Sequence, residues 1–298
     1  MEYKSGLYTI FKFFNKILMI IVIIATTFPY LSVVAKAFNN GIDTMLGGIT
    51  IFPRDPTFEN FGTVMKDLTI INASVLTVAR VVFGVLIELT LQFAAAYVLT
   101  KKNLRYKKWI ILYFAIPMFL HAGVIPTYVL YSKIHLLNSF AVYIIPYAFN
   151  FFNVVIMRTF MRSSIPVGLE ESALLDGANE IDVLVKIFLP LSLPIIATIG
   201  LYSGIFHWND WTTTLVYTTS QKLHTLQYKL MQVITESQHV QKAMEDARRA
   251  GSEVSTPTIT PESIMAAQIV ITTIPVVLVY PFLQKYFIKG IMIGSIKE

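Results

Sequence analysis

Residues Leu169 to Leu191 read LEESALLDGANEIDVLVKIFLPL, the most charged and helix-breaking passage between two long apolar runs. Pro166 suits a first helical turn, with Ser164 available ahead of it as a cap. Glu170 and Glu171 add negative charge near that positive helix end. The helix is expected to stop at Asp176-Gly177, because glycine enters the left-handed conformation that ends helices. Asn179 then caps a second helix, with Glu180 and Asp182 in its first turn, which runs on through VLVKIFLPLSLPIIATIGL into the membrane. The stretch predicts a short amphipathic helix over 164–180, a bend, and a membrane-entering helix. On spacing alone, an ordinary solvated interfacial helix fits too.

A larger pattern separates the two readings. The permease subunits of binding-protein-dependent ABC importers carry a cytoplasmic motif: EAA, three residues, G, nine residues, I, one residue, LP. This sequence resembles it with Glu171, Ala173, Gly177, Ile187, Leu189 and Pro190 at that spacing. The departure is Ser172 for the first alanine, another small residue. In that family the short helix sits in a cleft of the ATPase subunit and transmits its movement. The resemblance implies ATPase coupling through Glu170, Glu171, Ser172, Ala173, Asp176, Gly177 and Ala178. It extends to the Trp208-Asn209 pair, to Thr225-Leu226-Gln227, and to the tail YPFLQKYFIKGIMIGSIKE. That tail is similar to carbohydrate permeases, the maltose type broadly and an oligosaccharide subgroup more closely.

Composition supports a membrane protein. The 298 residues are 55% hydrophobic and only 14% charged, with mean hydropathy +0.61. A soluble chain carries nearer ~25% charge. Absence of cysteine excludes disulfides, thiol catalysis and cysteine-ligated metals. The net charge of +6 fits loops facing anionic lipid, and no aromatic-interleaved basic patch suggests nucleic acid.

Six apolar runs are expected to span: 17–38, 71–99, 109–131, 139–160, 183–206 and 264–288. Each can cross a hydrocarbon core of ~30 Å, which takes ~20 helical residues. The first run is long and lacks a convincing small-residue cleavage site, so it reads as a retained span. Residues 39–70 and 207–263 read as aqueous loops, with 238–261 the low-order candidate. Segments 1–16, 101–108, 158–186 and 285–298 hold 14 of the 24 basic residues, which puts both termini and the motif on the cytoplasmic side.

Away from the ends of these spans, ionisable groups are few: Arg80, Glu88 and His121. Such groups are costly in lipid and face a partner or a cavity. Arg80 and Glu88 share a helix face ~12 Å apart, too far to pair easily. Two roles suit Arg80. It meets an incoming solute, where a uronate-bearing oligosaccharide would gain a charge-assisted contact, or it bonds carbonyls of a broken neighbouring helix. Glu88 reads as a lock between helices. A lone His121 is more often a packing residue than a ligand. Asn150 and Asn153, on an aromatic-rich span, suit either helix packing or sugar recognition. Trp208 and Asn209 stand where tryptophan commonly anchors a helix at the membrane boundary.

No catalytic or metal-binding constellation is visible, and no phosphate-binding GxxxxGK[ST], so the chain does not itself hydrolyse ATP. The expectation is an all-α polytopic permease with the type I ABC importer fold in a bacterial inner membrane. Family architecture implies a second, different permease, two ATPase subunits binding ATP and Mg, an extracytoplasmic solute-binding protein, and an oligosaccharide as cargo. The rival reading is an ion-coupled secondary carrier. It predicts inverted repeats and several buried acids, where only Glu88 is seen.

Overall fold

The computed structural model describes residues 6–120, 122–249 and 260–294. Among them the regular structure is helical, with one isolated β-bridge between Asn39 and Pro56. Helix α1 (Gly6–Ala37) starts well before the expected first span, since nothing from Leu7 to Phe28 breaks a helix. Helices α2 (Gly41–Met45) and α3 (Glu59–Lys66) follow, then α4 (Leu68–Thr100), which contains no proline.

Three of the expected spans are not single straight helices. Residues 109–131 form two helices, α5 (Lys107–Met118) and α6 (Val124–Lys133), broken where Pro117 withholds a ladder donor and Gly123 takes φ +83°. His121 lies outside the described residues. Residues 139–160 begin as 3₁₀ turns, Phe140–Tyr143 and Ile145–Tyr147, bent by 49° from α7 (Phe151–Ser164).

The motif helix is α8 (Val167–Leu175), shorter than the 164–180 expected. Ser164 does not cap it but ends α7, because Pro166 forces the preceding Ile165 into an extended conformation. Pro166 itself occupies the cap position, without a side-chain hydrogen bond. Asn179 caps α9 (Glu180–Asp182), its Oδ1 accepting from the amides of Ile181 and Asp182, each at 2.9 Å.

A π-helical turn (Val183–Phe188) and α10 (Leu189–Leu191) then meet α11 (Leu193–Asn209) at a 77° bend. Pro190 and Pro194 explain why 183–206 is not one straight span: each removes an amide donor and clashes with a carbonyl one turn back.

Helices α12 (Thr212–Tyr217), α13 (Leu226–Arg249) and α14 (Pro261–Gly294) complete the order. The low-order expectation for 238–261 is corrected as far as Arg249. That run lacks glycine and proline and is rich in helix formers. Residues 250–259 lie outside the described residues.

Among the described residues three helices, Tyr8–Ala37, Leu68–Thr100 and Pro261–Pro281, are long and apolar enough to cross a membrane alone. The two bent pairs, Phe140–Tyr147 with Phe151–Ser164 and Glu180–Leu191 with Leu193–Asn209, bring the number to five if each is one crossing.

The chain divides into two compact units. The first is Met1–Ile70 with Leu230–Ile274, and the second is Ile71–Lys229 with Pro275–Glu298. In the first, buried Asn39 organises the loop after α1. Its Oδ1 accepts from the amides of Arg54 and Asp55, both at 2.8 Å, and its Nδ2 donates to Asp43 Oδ2 at 2.9 Å. In the second, an apolar core joins Phe93 and Tyr97 of α4, Val154, Met157 and Met161 of α7, and Phe188 of the π-helical turn. That core lies directly behind α8.

Candidate functional site

The motif resolves into separate physical tasks. Gly177 takes φ +88°, and around it the helix closes with two bonds: the amide of Gly177 donates to Leu174 O at 3.2 Å, that of Ala178 to Ala173 O at 3.0 Å. This is the double-bonded left-handed ending that satisfies orphan carbonyls. Ala173, Ala178 and Ile187 pack against the core, whereas Ser172 is exposed. The position where the sequence departs from its family pattern is therefore an exposed one that does not pack against the core.

A Gly177→Val substitution should cost about 2 kcal/mol, since a β-branched residue resists positive φ. Gly177→Asn should be much milder, because asparagine enters that region more readily. Thermal unfolding of the two variants measures the difference.

The two adjacent glutamates point to different tasks. Glu170 accepts from Lys101 Nζ at 2.6 Å. Glu171 is exposed and forms no ion pair among the described residues, as do its neighbours on the outer face, Leu174 and Leu175; Leu175 is 88% exposed. Asp176, the last residue of the cap, is exposed as well. An acid beside bare leucines on a short helix is a surface suited to a cleft with apolar walls and a basic rim.

Lys101, just past the end of α4, also donates to Glu180 Oε2 at 2.5 Å and to Tyr97 Oη at 2.6 Å. Burial works against its ammonium, but these three acceptors outweigh it and raise its pKa above the ordinary lysine value, so it stays charged. Carbonyls at and just past the end of α4 are met by cations as well: Arg158 Nε donates to Leu99 O at 2.9 Å, and Lys107 Nζ to Lys101 O at 2.7 Å.

Farther along α4 a cavity of about 690 Å³ opens. Its wall includes Glu88, Asn150 and Asn153, together with rings from Phe114, Tyr147, Tyr202 and Phe206. Asn150 caps α7, its Oδ1 accepting from the amide of Phe152 at 3.0 Å. The side chain of Asn153 makes no hydrogen bond among the described residues, which leaves a whole amide for a ligand. Glu88 is held by Ser203, which donates to its Oε2, and by His207 Nε2, 2.8 Å from its Oε1. Amides, a carboxylate and flat rings together match the hydroxyls and apolar faces of a saccharide.

Of the two roles open to Arg80, the geometry fits the structural one. Its side chain is wholly buried, ion-paired with Asp210 Oδ2, donating to Asp210 O at 2.9 Å, and 4.7 Å above the ring of Tyr143. The buried guanidinium is paired inside the fold through its two terminal nitrogens, its Nε has no partner among the described residues, and it is not among the residues that line the cavity. Burial pushes the Asp210 carboxyl up, but Arg80's charge and bonds from Thr213 and Arg80 pull it further down, leaving it below its ordinary value. Trp208 instead lines an apolar groove of about 600 Å³ with Val85, Gly204 and Val276, and Asn209 is exposed at the end of α11.

Sequence reasoning missed Asp210, Ser203, His207 and Lys101. A weak signal existed for the first three: Ser203 and His207 lie one turn apart on one helix face, and Asp210 follows them at the end of the span that carries them. Gly84 fits the same contact. A Cβ there would stand 2.8 Å from His207 Cδ2 and Cε1, so only glycine lets that ring sit against α4.

Comparison with known proteins agrees with this architecture. The Polygalacturonan/rhamnogalacturonan transport system permease protein YtcP of Bacillus subtilis (strain 168) is 33% identical over 270 residues, covering 90% of this chain and 92% of that protein. Protein LplC of the same organism is 33% identical over 273 residues, covering 91% and 90%. Among solved structures, the crystal structure of a bacterial ABC transporter involved in the import of the acidic polysaccharide alginate superposes with a TM-score of 0.85. It is 28% identical and covers 96% of this chain and all of its own. The family described as "Binding-protein-dependent transport system inner membrane component" matches residues 5–293, and this chain belongs to it as a multi-pass permease subunit of the inner membrane.

Proposed function

We propose that the chain forms half of the translocation pathway for a uronate-bearing oligosaccharide, beside a second, homologous permease. An extracytoplasmic solute-binding protein delivers the solute. Two separate ATPase subunits, which bind ATP and Mg, dock on the exposed face of α8 around Glu171, Leu174 and Leu175. Both termini and α8 lie on the cytoplasmic side, in keeping with the distribution of lysine and arginine.

The observation that carries this reading is the cavity wall: a free amide on Asn153 and the Glu88 carboxylate among aromatic rings, a surface for sugar rings rather than for bare ions. The acidic character of the solute rests on the relatives, whose names point to uronate polymers and to alginate. Among the described residues no lysine or arginine lines this wall, so it takes hydroxyls and ring faces, and solute carboxylates find their cations elsewhere in the complex.

The test is uptake into liposomes holding the complete importer. Radiolabelled oligogalacturonate should accumulate with its binding protein and ATP, and not with a proton or sodium gradient alone. Accumulation driven by an ion gradient without ATP would overturn the reading and favour a secondary carrier.

A further inference from the structure

The displacement of a docked α8 has two physical routes to the cavity wall. One is the chain itself, through α9, the π-helical turn Val183–Phe188 and the bend into α11. That route is soft. The π turn departs from the regular α-helical ladder, the bend is 77°, and Ser192 at the bend buries a hydroxyl without a partner among the described residues.

The other route is not covalent. Lys101 holds α8 by Glu170 at 2.6 Å and the start of the next helix by Glu180 at 2.5 Å. Tyr97, one turn earlier on α4, donates to the same Glu180 oxygen at 2.5 Å, and its ring packs edge-on against Phe188 at 4.8 Å. From this cluster α4 runs without proline to Glu88, about 20 Å away at 1.5 Å per residue. There it is tied to α11 by Ser203 and His207, and about two turns further along to the C-cap of α11 by the Arg80–Asp210 pair.

From this arrangement we infer that Lys101 is the positioning residue through which movement of α8 reaches the cavity, with α4 as the stiff element and the chain into α11 as a compliant tether. The inference rests on the proposed coupling of α8 to an ATPase. It assigns to Lys101 a task that its neighbour Lys102, exposed and outside the cluster, does not share.

The natural chain lacks cysteine, so Asn153→Cys places a single thiol on the cavity wall. In the complete importer with its binding protein, the alkylation rate of that thiol by a water-soluble maleimide is measured with and without ATP. In the Asn153→Cys background ATP should change the rate about tenfold, within the range of ordinary allosteric coupling. Lys101→Gln should remove most of that response while ATP still binds, and Lys101→Arg should restore it.

Two further variants keep the test decisive if Lys101→Gln assembles poorly. Glu180→Gln, at a side chain 59% exposed, removes one arm of the cluster and should halve the response or more. Val185→Gly softens the chain route and should leave it nearly intact. A full response in Lys101→Gln, or a loss in Val185→Gly as large as that in Lys101→Gln, overturns the inference alone. No response to ATP in the Asn153→Cys background overturns it together with the coupling reading.

Discussion

A Glu171→Lys chain should insert and assemble with its partner permease, yet lose stimulated ATP hydrolysis by about tenfold or more. Inside this chain the substitution disturbs nothing: Glu171 is exposed and forms no ion pair among the described residues. On the proposed docking of α8 in an ATPase cleft, the cost arises there, because reversal would set like charges against a basic rim at close range. The neighbouring Glu170→Lys should behave differently, because it brings a second ammonium against Lys101 and loosens α8 from α4 before any docking. The two are separated by measuring ATPase retention on the purified permease pair and thermal unfolding of that pair. Glu171→Lys should weaken retention at unchanged unfolding temperature, whereas Glu170→Lys should lower both. Normal stimulated turnover in Glu171→Lys would remove the docking face from α8.

That contrast marks what local sequence can and cannot carry. Gly177 and Asn179 were legible because each answers a requirement of its own backbone: positive φ and an unsatisfied amide pair. The two glutamates looked alike, since the direction in which each points depends on where α4 ends, and that is set by packing of Tyr97 and Phe188 far apart in the chain. Apolar runs revealed which segments belong in the membrane but not where they bend. Pro117, Pro146 and Pro190 lie inside these runs, and whether a proline kinks or ends a helix depends on which neighbours satisfy the freed carbonyls. Helix α13 was obscured for the opposite reason: its polar composition suggests disorder, while its lack of breakers permits the helix that forms.

Arg80 is the residue for which sequence left two roles open, and the geometry leads to a definite expectation. Arg80→Gln should reduce transport of acidic and neutral oligosaccharides alike, and should destabilise the permease by about 3–5 kcal/mol, the usual cost of removing one partner from a buried pair. The wholly buried guanidinium pairs with a carboxylate that is itself only 10% exposed, so truncation strands Asp210 in a poorly hydrated site. Tyr143 loses the cation above its ring, and the backbone carbonyl of Asp210 loses its donor. Arg80→Lys should recover part of the stability, because an ammonium keeps the charge but cannot bond the carboxylate and the carbonyl with the same fork. The Asp210 carboxyl sits below its ordinary value, so the pair's contribution is full at neutral pH and is lost only as acid carries the pH down through that lowered value. Thermal unfolding of each variant from pH 7 downward, together with uptake of a uronate oligosaccharide and of its neutral analogue, makes the comparison. Loss confined to the acidic solute at unchanged unfolding temperature would return Arg80 to the pathway. Equal loss for both solutes with a lowered unfolding temperature fixes it as the bolt between α4 and the end of α11.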